Sequence, residues 1–261
     1  MSALPDAISA ADFGRVGFAL ISGLIPRTDL DRAQAEIIRV GTALGGELGD
    51  IDAVYQDLKR QDGKSGLLYD ACKRMISLNR LALSDEVFAA LEYLGCKNPA
   101  LIDVNFRIDS KDAEKYLFDW HQDYWFSISS RNGIVAWIPL TDVTAETGGL
   151  SVIPLTHSLS KLYRVRPGDK YDSYADAMIV DEPVPREQAV DLRPCAGDVL
   201  FFRFDVLHKS LPVATTRRAR WTLQARFASF DDEEFRRRGF RPAAVSKAHV
   251  PYLEELNQRN P

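Results

Sequence analysis

The stretch Trp120-His121-Gln122-Asp123-Tyr124-Trp125 sets an imidazole and a carboxylate two residues apart, bracketed by aromatic side chains. In a β-strand, residues i and i+2 face the same side. Tyr116 to Trp125 reads as a strand, so His121 and Asp123 aim two metal-capable groups at one point on a barrel wall. A third ligand must come from a distant strand. The chain has four histidines, His121, His157, His208 and His249, and in this reading His208 completes the site.

Two imidazoles and one carboxylate on one face of a metal is the arrangement of non-haem Fe(II) oxygenases, which leaves coordination positions open for a co-substrate and O₂. Catalytic zinc also uses two histidines and a carboxylate, so the ligand types alone leave the metal open. An H-x-D pair is also how a polar pair on a strand surface is spelled, and His208 alone fits a hydrogen-bonded core histidine. The surrounding sequence has to decide.

At 261 residues the chain suits one large domain or two small ones. Hydrophobic residues make up 46% and charged residues 27%, values ordinary for a soluble globular protein. A net charge of −4 gives no electrostatic reason to expect nucleic acid or an anionic membrane as partner. The basic clusters at 217–220 and 236–238 read as solvated faces. Cys72, Cys96 and Cys195 are odd in number and form no CxxC pair, which argues against zinc ribbons and thioredoxin-like chemistry and fits a reducing compartment. No signal-peptide pattern and no apolar run of membrane-spanning length is present. The expectation is a cytoplasmic protein.

Residues 1–26 read as a short leading segment with a strand near 17–22. Pro26, Thr28 and Asp29 signal a helix start, followed by Leu30, Ala33, Ile37 and Val40 at helical spacing and closed by Gly45-Gly46. Residues 50–61 are ambiguous. Leu67 to Leu83 and Asp85 to Leu94 read as two helices, the second with Ser84 as N-cap and Gly95 as its stop. After Pro99 the pattern turns to strands. Ile102, Val104, Phe106 and Ile108 alternate with Asp103, Asn105, Arg107 and Asp109, a polar face suited to a solvated or ligand-lined interior. Gly133 to Leu140 is apolar nearly throughout and reads as buried on both sides. Short strands follow at 150–153, 197–204 and 221–230. Between them, 158–187 is a long polar excursion with Tyr163, Tyr171 and Tyr174, of the kind that forms lids. The tail from Asp231 is charged and helical in part. Helices first and strands after predict an α+β protein or helix-buttressed barrel. The expected layout is a single domain over 1–261, with helical support at 1–98, a barrel core at 99–230 and a tail at 231–261.

Five pieces, taken in order, resemble the phytanoyl-CoA dioxygenase family of Fe(II)/2-oxoglutarate oxygenases, and within it the ectoine-hydroxylase-like branch. They are His121-Gln122-Asp123; Ala136-Trp137-Ile138-Pro139-Leu140-Thr141-Asp142; Thr147-Gly148-Gly149-Leu150 running to Pro154 and His157; Pro194-Cys195-Ala196-Gly197-Asp198 running to Phe202 and on to His208-Lys209-Ser210; and Arg220-Trp221. The likeness covers 100–230, and more loosely 13–45.

The resemblance implies a double-stranded β-helix (jelly-roll, cupin-like) barrel, Fe(II) held by His121, Asp123 and His208, and 2-oxoglutarate and O₂ as co-substrates. It implies oxidation of a small organic molecule with conversion of 2-oxoglutarate to succinate and CO₂. An arginine near the start of the last strand would hold the distal carboxylate, since a guanidinium forks onto a carboxylate. Arg220 is the first choice and Arg218 the second. Ser210, Asn105, Asp109 and Trp137 fall at positions that contact the co-substrate, Asp109 replacing a more usual neutral amide. A carboxylate at Asp123 points to hydroxylation or another oxidation rather than halogenation.

Tyr124, Trp125, Phe126 and Arg131 follow the metal motif and are expected to form a substrate wall. His157 is expected to anchor its loop, because Pro154-Leu155-Thr156-His157 lacks the family's glycine and argues for a slightly different turn. His249 reads as surface. The expected partner is a small molecule, with no nucleic acid and no membrane, and the chain a monomer or homodimer. The competing readings are a metal-dependent hydrolase, zinc foremost, and a non-catalytic ligand-binding barrel.

Overall fold

The computed structural model describes residues 10–159, 162–166 and 179–242. Helices come first. α1 (Ala10–Val16) precedes β1 (Phe18–Ile21), and α2 (Arg27–Ala43) buries Leu30, Ala33, Ile37 and Gly41, one stripe at helical spacing. In α3 (Ile51–Lys59) the Asp50 carboxylate accepts from the Ala53 amide at 2.8 Å, an N-cap that resolves the ambiguous 50–61 stretch as helix. The expected single helix over 67–83 is two, α4 (Lys64–Cys72) and α5 (Ile76–Ala82). Extended backbone at Met75 turns the chain so that Leu68 and Cys72 on one helix and Leu78, Leu81 and Ala82 on the other are all buried. No local breaker marks this turn, so packing decided it. α6 (Asp85–Tyr93) starts on Ser84, which accepts from Val87, and stops at Gly95 with φ +99°. α1 was not foreseen.

The strands form the barrel. β1, β2 (Pro99–Asp109), β3 (Ile134–Pro139), β8 (Val199–Arg203) and β10 (Arg220–Ser229) make an antiparallel sheet in the order β1-β8-β3-β10-β2. β4 (Leu150–Val152), β7 (Val190–Leu192) and β9 (His208–Ser210) make a second sheet in the order β7-β4-β9. β5 (Val165–Arg166) pairs with β6 (Ile179–Val180). This is the jelly-roll, α+β architecture.

Alternation along the large sheet separates two environments. Its back face, with Phe106, Ala136, Ile138, Phe201, Trp221, Leu223 and Phe227, packs in one cluster with the helices. Its front face sends Val135, Trp137, Leu200 and Phe202 into a second cluster with Leu150 and Val152 of the small sheet. Trp221 is the pin of the back layer. It is fully buried, its ring lies 5.4 Å from Tyr55, and its indole donates to Asp52 of α3 at 2.8 Å. Truncating a side chain buried like this costs about 3–5 kcal/mol. Asp52 also accepts from the Ala219 amide at 2.9 Å, so α3 holds the first residues of β10 in place.

Two turns keep the barrel ends together. Gly148 has φ +68°, and a Cβ there would collide with the Pro212 and Leu211 carbonyls; at Gly149 it would collide with Leu192. Leu155, where a glycine was expected, still adopts φ +66°. Left-handed backbone costs a residue with a Cβ roughly 1–2 kcal/mol, which this turn carries at Leu155. His157 behaves as anticipated. Its Nε2 lies 2.9 Å from the Gly14 carbonyl, and its ring fills the space a Cβ at Gly17 would need. Tyr171, Tyr174 and His249 fall outside the described residues. The tail opens with α7 (Glu233–Arg237).

Candidate metal centre

The expected strand over 116–125 is absent. A 3₁₀ segment at Lys111–Tyr116 and a second at Asp123–Phe126 flank a single bridge in which His121 and His208 exchange backbone hydrogen bonds, each at 3.0 Å. The bend is held by Gln122, whose amide donates to the Asp205 carbonyl at 2.6 Å while its oxygen accepts from the Tyr163 amide at 2.7 Å. Gln122 between them is extended, with φ −118° and ψ 131°, so His121 and Asp123 share a side as strand neighbours do, and the chain tightens only from Asp123 onward.

His121, Asp123 and His208 are all buried and offer ligand atoms within 4.8 Å of one another. Asp123 Oδ1 lies 3.4 Å from His121 Nε2 and 3.6 Å from His208 Nε2. This oxygen is buried with no hydrogen-bond partner, a costly state for a carboxylate unless a cation completes it. The imidazoles are prepared for the same cation. His121 Nδ1 faces the Asp119 carbonyl at 2.6 Å and His208 Nδ1 faces the Val206 carbonyl at 3.1 Å. A carbonyl only accepts, so each Nδ1 carries the proton and each Nε2 keeps a lone pair for a metal. Burial and the adjacent His121 push the His208 pKa down to about 3, so its ring is neutral at pH 7. Burial opposes ionisation of Asp123, but the Arg226 guanidinium overcomes it and holds the carboxyl well below the usual range. Arg226 Nε donates to Asp123 Oδ2 at 2.8 Å and its Nη1 to Asp103 at 3.1 Å. One Asp123 oxygen is thus committed to arginine and the other is free for metal. Three ligands with open space beside them are what an Fe(II) oxygenase centre requires.

A sequence profile described as phytanoyl-CoA dioxygenase (PhyH) matches residues 13–221. The chain belongs to the phytanoyl-CoA dioxygenase family. No curated protein sequence matches it. Among solved structures, it is similar to the epimerase SnoN, in complex with Fe³⁺, α-ketoglutarate and nogalamycin RO, at TM-score 0.59 and 20% identity over 84% of this chain and 82% of that one. It is also similar to EvdO2 from Micromonospora carbonacea var. aurantiaca, complexed with 2-oxoglutarate, at TM-score 0.58 and 16% identity over 92% of each chain. HygX from Streptomyces hygroscopicus, with nickel and 2-oxoglutarate bound, aligns at TM-score 0.51 and 16% identity over 86% of each chain. Identities this low carry the likeness of fold.

In this member of the family a cavity of about 750 Å³ opens beside the triad. Its wall includes His121, His208, Phe126, Trp137, Asn105, Asp109 and Ser210, all named from the sequence. Tyr124, Trp125 and Arg131 do not line it among the described residues, which corrects most of the expected substrate wall. The 3₁₀ turn after Asp123 sends them the other way. Tyr124 Oη donates to Glu234 at 2.8 Å, Trp125 donates to the Tyr163 carbonyl at 3.2 Å, and the Arg131 backbone amide donates to Glu234 at 3.0 Å. Arg218 is exposed and off the cavity. Arg220 is 2% exposed. Its Nε and Nη2 lie 3.3 and 3.0 Å from Asp109 Oδ2, and its Nη1 donates to the carbonyls of Thr147, Gly149 and Leu211.

Asp103 and Arg107, read from the sequence only as members of a polar strand face, also line the cavity, and sequence reading missed Gln224 and Arg226 there and Tyr55 and Tyr69 at its helical rim. The missed signal is polar alternation in β10. In register with β2 it builds four cross-strand rungs: Asp103 with Arg226, Asn105 with Gln224, Arg107 with Thr222, and Asp109 with Arg220.

Proposed function

We propose that this chain is a non-haem Fe(II)- and 2-oxoglutarate-dependent dioxygenase that hydroxylates or otherwise oxidises a small organic molecule. The observation that carries the reading is the orphaned Asp123 Oδ1, buried and aimed with the Nε2 atoms of His121 and His208 at one point. His121, Asp123 and His208 would hold the iron. When bound, the metal and 2-oxoglutarate would supply O₂ activation, with succinate and CO₂ as co-products.

Charge around the cavity supports a dianionic co-substrate. Asp103, Asp109 and Asp123 balance Arg107, Arg220 and Arg226. A divalent cation among neutral histidines then leaves two positive charges, which 2-oxoglutarate would neutralise. Trp137 and Ser210 would flank the co-substrate, with Phe126 and Phe118 closing the wall over His121 and excluding water. A cavity of this size leaves room for a small or medium substrate beside the co-substrate. Asn105 and Gln224, facing each other across the strands, would offer amide hydrogen bonds to it. The ectoine-hydroxylase-like branch stays part of the proposal through Asn105 and Asp109 in the cavity wall. No helix among the described residues is long and apolar enough to cross a membrane.

The test is anaerobic loading with Fe(II), then succinate release from 2-oxoglutarate across a panel of organic molecules, with His208→Ala as control. Release that depends on Fe(II) and is lost in the variant is the expected result. Tight zinc with no 2-oxoglutarate binding would return the chain to the hydrolase reading.

A further inference from the structure

The arginine end of the cavity has a feature that the proposed function leaves unused. Asp109 sits between two guanidiniums. Its Oδ1 accepts from Arg107 Nη2 at 2.6 Å, and its Oδ2 accepts from Arg220 Nη2 at 3.0 Å. A carboxylate of the protein itself therefore fills the fork of Arg220 that a ligand carboxylate would use. The rest of Arg220 is spent on main-chain carbonyls, and Arg220 does not line the cavity.

Arg107 is placed differently. It lines the cavity, and its Nη1 has no hydrogen-bond partner among the described residues. Its guanidinium is steered by the Tyr116 carbonyl at 2.9 Å and lies over the Phe118 ring at 5.2 Å. That ring in turn stacks on His121, with centroids 5.1 Å apart. A molecule that reaches the triad at one end is therefore one aromatic ring away from a guanidinium with a spare donor. Two arginines and one aspartate leave a single net positive charge here, enough to match one carboxylate.

Resting on the 2-oxoglutarate reading above, we propose that Arg107 is the cavity-facing anchor for the co-substrate carboxylate remote from the metal, and that Asp109 attenuates that anchor by occupying Arg220. Asp109 is then a specificity-determining residue. Binding of a dicarboxylic 2-oxo acid is held weaker than two free arginines would allow, and removing one negative charge strengthens it.

The experiment is calorimetric titration of 2-oxoglutarate into Mn(II)-loaded protein, for which no turnover is needed. Asp109→Asn removes the charge and one of the two acceptor oxygens, which releases a guanidinium for the ligand, and it should bind 2-oxoglutarate roughly ten-fold more tightly, the scale of one charge-assisted hydrogen bond. Arg107→Gln should bind roughly ten-fold more weakly, with Arg107→Lys recovering part of the loss. A purely structural role for the cluster predicts weaker binding in both Asp109→Asn and Arg107→Gln, so opposite signs support the proposal. Equal or weaker binding in Asp109→Asn, or no change in Arg107→Gln, overturns it. Thermal melting and Mn(II) affinity monitor folding; if Asp109→Asn does not fold, Asp109→Ser, which also removes the charge, is read in its place against the Arg107 pair. Wild-type protein that holds Mn(II) and binds no 2-oxoglutarate would overturn the proposed function itself, and this inference with it.

Discussion

β10 carries a buried arginine at each end of the row Arg220, Thr222, Gln224 and Arg226, and each meets an aspartate. At Arg226 the partner Asp123 gives one oxygen to the guanidinium and keeps the other without a partner beside two imidazoles. At Arg220 the partner Asp109 gives both oxygens to guanidiniums, and the arginine adds three main-chain carbonyls. The two pairs look alike by residue type and burial. They differ in whether any hydrogen-bonding capacity is left over. Left-over capacity in a buried group is costly, so it marks a place built for something that binds, whereas a saturated cluster ties elements together. β2, β10 and the 147–149 and 211 turns all meet at Arg220, while the metal ligands meet at Arg226.

The largest expected effect that separates the two ends is on stability. Arg220→Ala takes the guanidinium donor away from the Thr147, Gly149 and Leu211 carbonyls and leaves Asp109 with one arginine. Breaking a buried ion pair costs about 3–5 kcal/mol, which lowers the melting temperature by roughly 10 °C for a chain of this size. Thermal melts measure this, and a shift under two degrees would mean that Arg220 does not tie the barrel ends. Mn(II) affinity of the folded fraction should stay near wild type.

Arg226→Gln should do the reverse. Loss of the donor that orients a metal ligand typically costs about 10–100-fold in metal affinity. With metal bound, Asp123 has the cation as partner, so the melting temperature of the loaded protein should fall less than in Arg220→Ala. Metal titration and melting on one preparation read both quantities, and a variant that melts early yet binds Mn(II) normally would erase the distinction between the ends.

The smallest effect is on pH dependence. Burial raises the Asp109 pKa, but Arg107 and Arg220 outweigh it and hold the folded value below the ordinary one. A depressed carboxylate contributes stability that is fully present above its unfolded pKa of about 3.9 and is lost as pH falls through the folded value. Acid unfolding of the wild type should therefore steepen below about pH 4, and Asp109→Asn should show a shallower slope there. Identical slopes would assign the acid sensitivity to other carboxylates.

Much of the site is legible in the amino-acid sequence, for identifiable reasons. Ligand types are written in the residues themselves, and His121, Asp123 and His208 converge in the fold. Asn105, Asp109, Trp137 and Ser210, named through the family resemblance, lie in the cavity wall, and for Asn105 and Asp109 the polar alternation of β2 says the same. Tyr124, Trp125 and Arg131 missed it because a strand was assumed where the backbone turns as 3₁₀, and one such turn redirects every following side chain. Nothing in residues 116–126 announces that turn. It is held by Gln122 reaching Asp205 and Tyr163, contacts from elsewhere in the chain.

By itself the sequence determined most element types, the two faces of β2, the glycine-dependent turn at 148–149 and the set of groups able to bind a metal. These follow from periodicity, backbone sterics and side-chain chemistry, which act within a few residues. Only the tertiary structure decided which aspartate each arginine meets. Arg220 and Asp109 stand opposite each other through the register of β10 on β2, while Arg226 faces Asp103 in that register and reaches Asp123 across the barrel. Register and barrel closure are non-local, so no stretch of the chain could have said which carboxylate would be saturated and which would keep an oxygen free.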